Sequence, residues 1–238
     1  MNPAQALILC ADLSRSGCHM SRTHHVCIEQ REDLVSVAAT NGHLVFRFDF
    51  KRSDFPADHW VRAVQGAWSV PGAAFPKWGE RLWGVTLDGL SLRCEARTKG
   101  GKLCAKQPDP IDLYPGAVIL SLWDQVTRQS DPIKVDVSSG RFADCVGILD
   151  GDAVVHMQSP DGDGVIVTAG DAVYTRRWRA VVDMTTPPFA LRAVRASLLW
   201  EALDVCSPVH MLLSATDANA PVIFTSPGHT AIVMPLTL

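Results

Sequence analysis

Short apolar segments with an alternating pattern, each cut off by turn residues, constrain this chain more than any other feature. A period of two turns successive side chains to opposite faces of a strand, so the pattern reads as β-rich. In the first half the segments are His25–Gln30, Leu34–Thr40, Leu44–Phe50, Trp83–Leu87 and Leu90–Ala96. Between them stand Arg31-Glu32-Asp33, Asn41-Gly42 and Asp88-Gly89. Asn-Gly and Asp-Gly pairs suit tight hairpins because both residues tolerate positive φ. The second half carries Ile133–Val137, Ala153–Gln158, Val165–Ala169, Ala172–Val182, Val209–Ala215, Val222–Thr225 and Thr230–Leu236, with Asp161-Gly162-Asp163-Gly164 and Asp217-Ala218-Asn219 as turns.

Few helices interrupt the strands. Ala4–Leu13 is apolar on most sides and reads as a short buried helix, and Ser197–Val205 follows the strand-like Phe189–Val194 as an amphipathic one. Val118–Arg128 and Arg141–Leu149 are further candidates, the second with Ser138-Ser139 as its N-cap. Prolines limit Val70–Arg81 to a short helix. The two halves share an order of elements without a direct sequence repeat. The Pro- and Asp-rich stretch Gln107–Pro115 is the natural linker. The expectation is an α+β chain of two similar domains, residues 1–110 and 111–238.

The final residues Ile232–Leu238 continue an apolar strand where termini are ordinarily polar and frayed. As a strand, they would project Met234 and Leu236 from one face and Val233 from the other. One face can join a core, which leaves the other to line a groove or meet a partner.

Composition narrows the function classes. At 238 residues, 47% hydrophobic and 20% charged, the chain can bury a core in each half. No apolar run reaches the ~20 residues of a membrane span, and no basic, apolar and cleavable leader opens the chain, so a cytoplasmic protein without a membrane partner is expected. Seven irregularly spaced cysteines do not form a disulfide framework. The net charge of −3 argues against a body coated with basic patches but allows one basic face. Cys18, His19, His24, His25 and Cys27 crowd together without the paired spacing of a zinc site. Asp150, Asp152, Asp161 and Asp163 lack the Gly and Glu positions of a calcium loop. No nucleophile elbow, Walker A or dinucleotide motif is present, and no spacing selects a catalytic triad. No metal, no cofactor and no catalytic residue is expected. Trp60, Trp68, Trp78 and Trp83 read as core filling, with an aromatic platform for single strands as the lesser alternative.

Four local matches carry a resemblance. The ending Ile232-Val233-Met234-Pro235-Leu236-Thr237-Leu238 resembles the "V-V-M-P-M-R-L" close of the bacterial DNA polymerase III beta subunits, the sliding clamps. Thr40-Asn41-Gly42-His43-Leu44, after a strand ending Val37-Ala38-Ala39, is similar to the clamp "T-D-G-H-R-L" turn. Leu198–Leu238 parallels the family's final helix and three strands, and Pro108-Asp109-Pro110 through Val118 is similar to its "F-P-D-Y-R-x-V-I-P" connector. Close matches cover about a quarter of the chain. Asn41, Leu44 and Thr237 depart from the family's Asp, Arg and Arg.

The resemblance implies the DNA clamp fold, in which each domain sets two helices on one face of curved antiparallel sheets. Family members have three such domains and close a six-domain ring from two copies. A two-domain chain would reach six as a homotrimer, through a head-to-tail interface that closes. It implies a non-enzymatic processivity factor on double-stranded DNA, with DNA polymerase and clamp-loader peptides as partners. A short, diverged clamp points to a phage or other mobile-element origin. By position, Val45, Pro110, Val118, Ile232, Met234, Pro235 and Leu236 correspond to a peptide groove between two domains. Arg15, Arg22, Lys77, Arg81, Arg141, Arg192 and Arg195, on or beside the predicted helices, are the candidates to face DNA. The competing reading is a β-rich structural or assembly protein, such as one of a virus particle, whose apolar C-terminal strand is a subunit interface.

Overall fold

The computed structural model describes residues 1–16, 24–54, 66–75, 81–88, 91–97, 104–106, 124, 128, 132–137, 141–159, 165–170, 177–182, 189–207 and 210–236. The chain divides into two compact units, Met1–Ile119 and Leu120–Leu238. The expected boundary between residues 110 and 111 lies outside the described residues.

The first unit opens with helix α1, Pro3–Arg15. Asn2 caps it reciprocally with Gln5: Gln5 N donates to Asn2 Oδ1 at 2.9 Å and Asn2 N donates to Gln5 Oε1 at 3.1 Å. Pro3 occupies the first turn, where its missing N–H costs nothing. Leu7, Ile8, Cys10, Ala11 and Leu13 are all buried, so the helix is apolar around most of its girth, as its sequence implied. It packs on β1 (His25–Arg31) and β2 (Leu34–Thr40). With β3 (Leu44–Lys51) and β4 (Gly66–Pro71), these strands run antiparallel in the order β4-β1-β2-β3. Strands β5 (Arg81–Asp88), β6 (Ser91–Arg97) and β7 (Cys104–Lys106) form a second antiparallel set. Val35 through Thr40 are buried without a break, so both faces of β2 are covered.

Two local expectations for this unit change. Among the described residues, the stretch from Val70 holds a three-residue 3-10 turn, Gly72–Ala74, preceded by β4, which the sequence reading missed. Pro71 sits opposite His25 at the end of β4, where a missing ladder donor is tolerated. The Asn41-Gly42 turn uses one left-handed residue rather than two: Gly42 has φ of +94°. Asn41 acts through its side chain, whose Oδ1 accepts from His43 N at 3.0 Å and Leu44 N at 2.8 Å. Thr40 Oγ1 locks the other side, donating to Leu44 O at 2.9 Å.

The second unit contains β8 (Pro132–Asp136), α2 (Arg141–Gly147), β9 (Val154–Ser159), β10 (Val165–Gly170), β11 (Arg177–Val182), β12 (Phe189–Arg195), α3 (Ala196–Cys206), β13 (His210–Ser214), β14 (Val222–Ser226) and β15 (His229–Val233). One antiparallel set runs β15-β14-β13-β8 and the other β11-β10-β9-β12. The core between them holds Val135, Phe142, Val155, Met157, Leu199, Met211 and Phe224, all at most 1% exposed. Of the expected helix Val118–Arg128, only Asp124 and Arg128 are described. They are joined by a backbone bond of 3.0 Å and an ion pair of 2.9 Å at helical spacing. The turn Asp161–Gly164, the cap Ser138-Ser139 and the first half of Ala172–Val182 lie outside the described residues.

The terminal strand is shorter than expected. It ends at Val233, and Met234, Pro235 and Leu236 follow in irregular backbone. The alternation imagined for Met234 and Leu236 therefore does not apply. Pro235 explains the break, because it can donate no ladder bond and restricts the residue before it. The segment crosses instead to the other strand set, where Leu236 N donates to Ala193 O on β12 at 2.7 Å.

Candidate functional site

The residues assigned to the peptide groove fall into three groups. Val45, opposite Thr40 at the start of β3, is 2% exposed, and Ile232, opposite Ile223 on β15, is 1% exposed. Both side chains are core-filling and offer a docked peptide no surface, which corrects their assignment. Pro110 and Val118 lie outside the described residues. Met234, Pro235 and Leu236 are half-buried, and they sit on a segment pinned at both ends, by β15 before it and by the Leu236–Ala193 bond after it. Among the described residues of the predicted set, these three are the accessible apolar ones. An open cleft in the first unit, lined by Glu32, Asp33, Leu34, Lys51, Arg52 and Ser53, lies at the end of the β2–β3 hairpin away from Val45.

The cations expected to face DNA are also sorted by the structure. Arg192 is fully buried. A β-bulge between Phe189 and Arg192 shifts the pairing of β12 with β9, so Arg192 stands opposite Met157 rather than His156. One residue of register moves a side chain to the other face, and here it turns the guanidinium inward. Its Nη2 donates to Ser214 O, while Nε and Nη1 have no hydrogen-bond partner among the described residues. Burial pushes its pKa below the usual arginine value, with the Asp217 carboxylate opposing. Arg192 is not a DNA-facing residue.

Arg15 is committed within its own unit. Its guanidinium pairs with Asp12 and donates to the carbonyls of Gly72, at 2.9 Å, and Phe75, tying the last turn of α1 to the 3-10 turn. Gly72 is required there, since a Cβ would lie 1.9 Å from Ser14 Oγ and 3.1 Å from Ala11 O. Arg195 is exposed just before α3. Arg81 begins β5 and Arg141 begins α2, and Arg22 and Lys77 lie outside the described residues.

Helix α3 shows what the sequence reading passed over. Leu199, Ala202 and Leu203 form its buried stripe, which leaves Trp200 on the other side at 58% exposure, next to exposed Glu201 and Asp204. The signal was present in the helical phase, since Trp200 lies off the 199/202/203 face. The described helix faces carry no basic excess: α3 contains no Lys or Arg, and the Arg15 charge on α1 is balanced by Asp12.

No family model and no curated protein matches the chain. Solved structures do. A DNA polymerase sliding clamp from Pseudomonas aeruginosa superposes with a TM-score of 0.69 at 14% identity, over 100% of this chain and 66% of that one. The sliding clamp from Caulobacter crescentus gives 0.69 at 15% identity, over 99% and 64%. A putative DNA polymerase III beta subunit from Eubacterium rectale gives 0.68 at 11% identity, over 100% and 65%. The chain thus spans about two thirds of the length of these proteins. With two α+β units, paired antiparallel strand sets and an end-to-end match to such structures, the chain has the fold of the DNA polymerase III beta sliding clamps.

Proposed function

We propose that this protein is a DNA polymerase processivity factor, a cytoplasmic sliding clamp that closes as a homotrimer around double-stranded DNA and tethers a polymerase and its loader. The observation that carries the reading is the match of 99–100% of the chain to clamps named for DNA polymerase. A clamp performs no bond chemistry. It turns repeated polymerase encounters with the template into an intramolecular event at high effective concentration.

The charge distribution fits one way of doing this. Phosphate contacts made by Lys and Arg set affinity without reading sequence, and they weaken steeply with salt. With a net charge of −3 and described helix faces that carry no basic excess, retention on DNA is topological rather than ionic. Polymerase and loader peptides dock on the Met234–Leu236 segment, whose half-buried apolar side chains meet a peptide without unfolding β15. Each anchor, if fully covered, contributes roughly 1.5–3 kcal/mol.

The test combines solution mass with retention on DNA. Light scattering should give three times the 25.9 kDa chain mass, and protein loaded on nicked circular DNA should survive a high-salt wash and be lost when the circle is cut. A chain that stays monomeric and is retained equally on linear and circular DNA refutes the proposal. Met234→Ala with Leu236→Ala should leave the trimer intact and abolish stimulation of the polymerase. Loss of the trimer in that variant would make the segment a subunit interface.

A further inference from the structure

The first unit carries an open cleft of about 700 Å³ lined by charges that its own fold does not pair. Its acidic side is the β1–β2 turn, with Glu32 and Asp33. Its basic side is Lys51 at the end of β3, with Arg52 of the 3-10 turn Arg52–Asp54 that follows. The backbone sets the two sides against each other. Leu34 stands opposite Lys51 in the β2–β3 register, and Arg52 N donates to Asp33 O at 2.7 Å. Lys51 N donates to Asp54 Oδ2 at 2.9 Å, which fixes the end of β3 to the turn. All four charged lining residues are exposed, and none forms an ion pair among the described residues. Leu34 lines the same cleft and is left 39% exposed.

The turn that carries the carboxylates is held in a costly conformation. Glu32 has a φ of 44°, in the left-handed region that glycine enters without a steric penalty. Backbone strain of this kind gathers at ligand-holding and switch sites. The four lining charges sum to zero, with the two signs on separate chain segments. A purely acidic or purely basic ligand is therefore repelled by one side of the cleft. A surface that carries its own complement fits a second copy of itself. Under a twofold axis residue i meets j and j meets i, so each copy sets its acidic side on the basic side of the other. Four opposite-charge pairs form together, and the exposed Leu34 of each copy is covered.

We propose that this cleft is a twofold self-association site, in which Glu32 and Asp33 of each copy face Lys51 and Arg52 of the other. Exposed ion pairs contribute little one by one and are screened by salt. The pairing is accordingly weak, salt-sensitive and separate from ring closure. It doubles whichever unit forms at high salt, three chains or one, so its failure is distinguishable from failure of the processivity reading.

Sedimentation velocity of the full chain, over a range of concentrations at low and high salt, tests it. The mass at low salt and high concentration should be twice the high-salt mass. Lys51→Glu with Arg52→Glu makes the charged lining wholly acidic, and Glu32→Lys with Asp33→Lys makes it wholly basic. Each of these variants alone should stay at the high-salt mass. An equimolar mixture of the two should recover the doubling, and so should one chain carrying all four substitutions. Asp144→Lys with Asp204→Lys changes the net charge as much as the basic variant does, at exposed positions of the other unit. It should leave the doubling intact. Every substituted residue is exposed, and an unchanged high-salt mass with native circular dichroism shows that a variant has folded. A wild-type mass that ignores salt and concentration overturns the proposal. Doubling that survives in the acidic and basic variants, or is lost in the Asp144 and Asp204 control, overturns it as well. Growth beyond twofold overturns the closed pair in favour of an open head-to-tail array.

Discussion

Replacing the buried Arg192 with Met should stabilise the protein. Arg192 is 0% exposed, and among the described residues only Nη2 of its guanidinium nitrogens has a partner, the carbonyl of Ser214. An orphaned buried donor costs about 1–3 kcal/mol, so Nε and Nη1 together cost roughly 4 kcal/mol. Losing the Nη2 bond and leaving Ser214 O alone takes back roughly 2 kcal/mol. The balance is a gain of about 2 kcal/mol, within the range found when buried ions yield to apolar side chains of similar volume. In a chain of this size that is a rise of about 5 °C in melting temperature. Urea and thermal unfolding of Arg192→Met measure it. Arg192→Lys should fall below the wild type, since it keeps a desolvated charge on a stem that no longer presents the fork. A loss of more than about 1 kcal/mol in Arg192→Met would refute the reasoning. The two nitrogens would then have partners in solution, and the guanidinium would be holding the two strand sets together.

Three other perturbations follow from local geometry. Gly72→Ala should destabilise by roughly 1–3 kcal/mol through the clash with Ser14 Oγ, and Ser14→Ala in the same chain should restore part of it, which a double-mutant cycle in urea reads directly. Ser207 closes α3 in the left-handed region, at φ of 39°, with its N–H on Leu203 O. Ser207→Gly should therefore stabilise by about 0.5–1 kcal/mol in thermal unfolding, and a loss would show that its side chain matters more than its backbone. Partial desolvation raises the Glu201 carboxyl above its usual range. A raised folded pKa favours the protonated form, so the stability this group contributes is full below about pH 4.5 and is lost as pH rises through the folded value. Glu201→Gln should accordingly be more stable than wild type near pH 7 and equal to it near pH 4, and a constant difference across that range would refute the assignment.

What could be read from the sequence follows from where the physics is local. Period-two alternation with Asn, Asp and Gly between the runs located β1, β2 and β3 within a residue or two, because each alternation reports a face that must be buried. β4 and β7 were missed for the opposite reason. β4 is an Ala-Trp-Ser-Val core bracketed by Gly66 and Pro71, and β7 is three residues long, so neither carries enough pattern to stand apart from a loop. Side-chain destinations were less legible than element positions. Arg192 alternates with Leu191 and Ala193 and reads as a surface residue, and only the one-residue bulge against β9 turns it inward. A bulge is a property of two strands in register, and no single-strand pattern contains it. The terminal motif shows the same division. Its resemblance led to the right fold, but the resemblance treats seven residues as one functional strip. Pro235 divides that strip into Ile232 and Val233, which complete a core, and Met234 through Leu236, which leave it for β12. If a partner peptide is to be held here, it meets only the second part. Substituting Ile232 therefore tests the fold, and substituting Met234 or Leu236 tests the function.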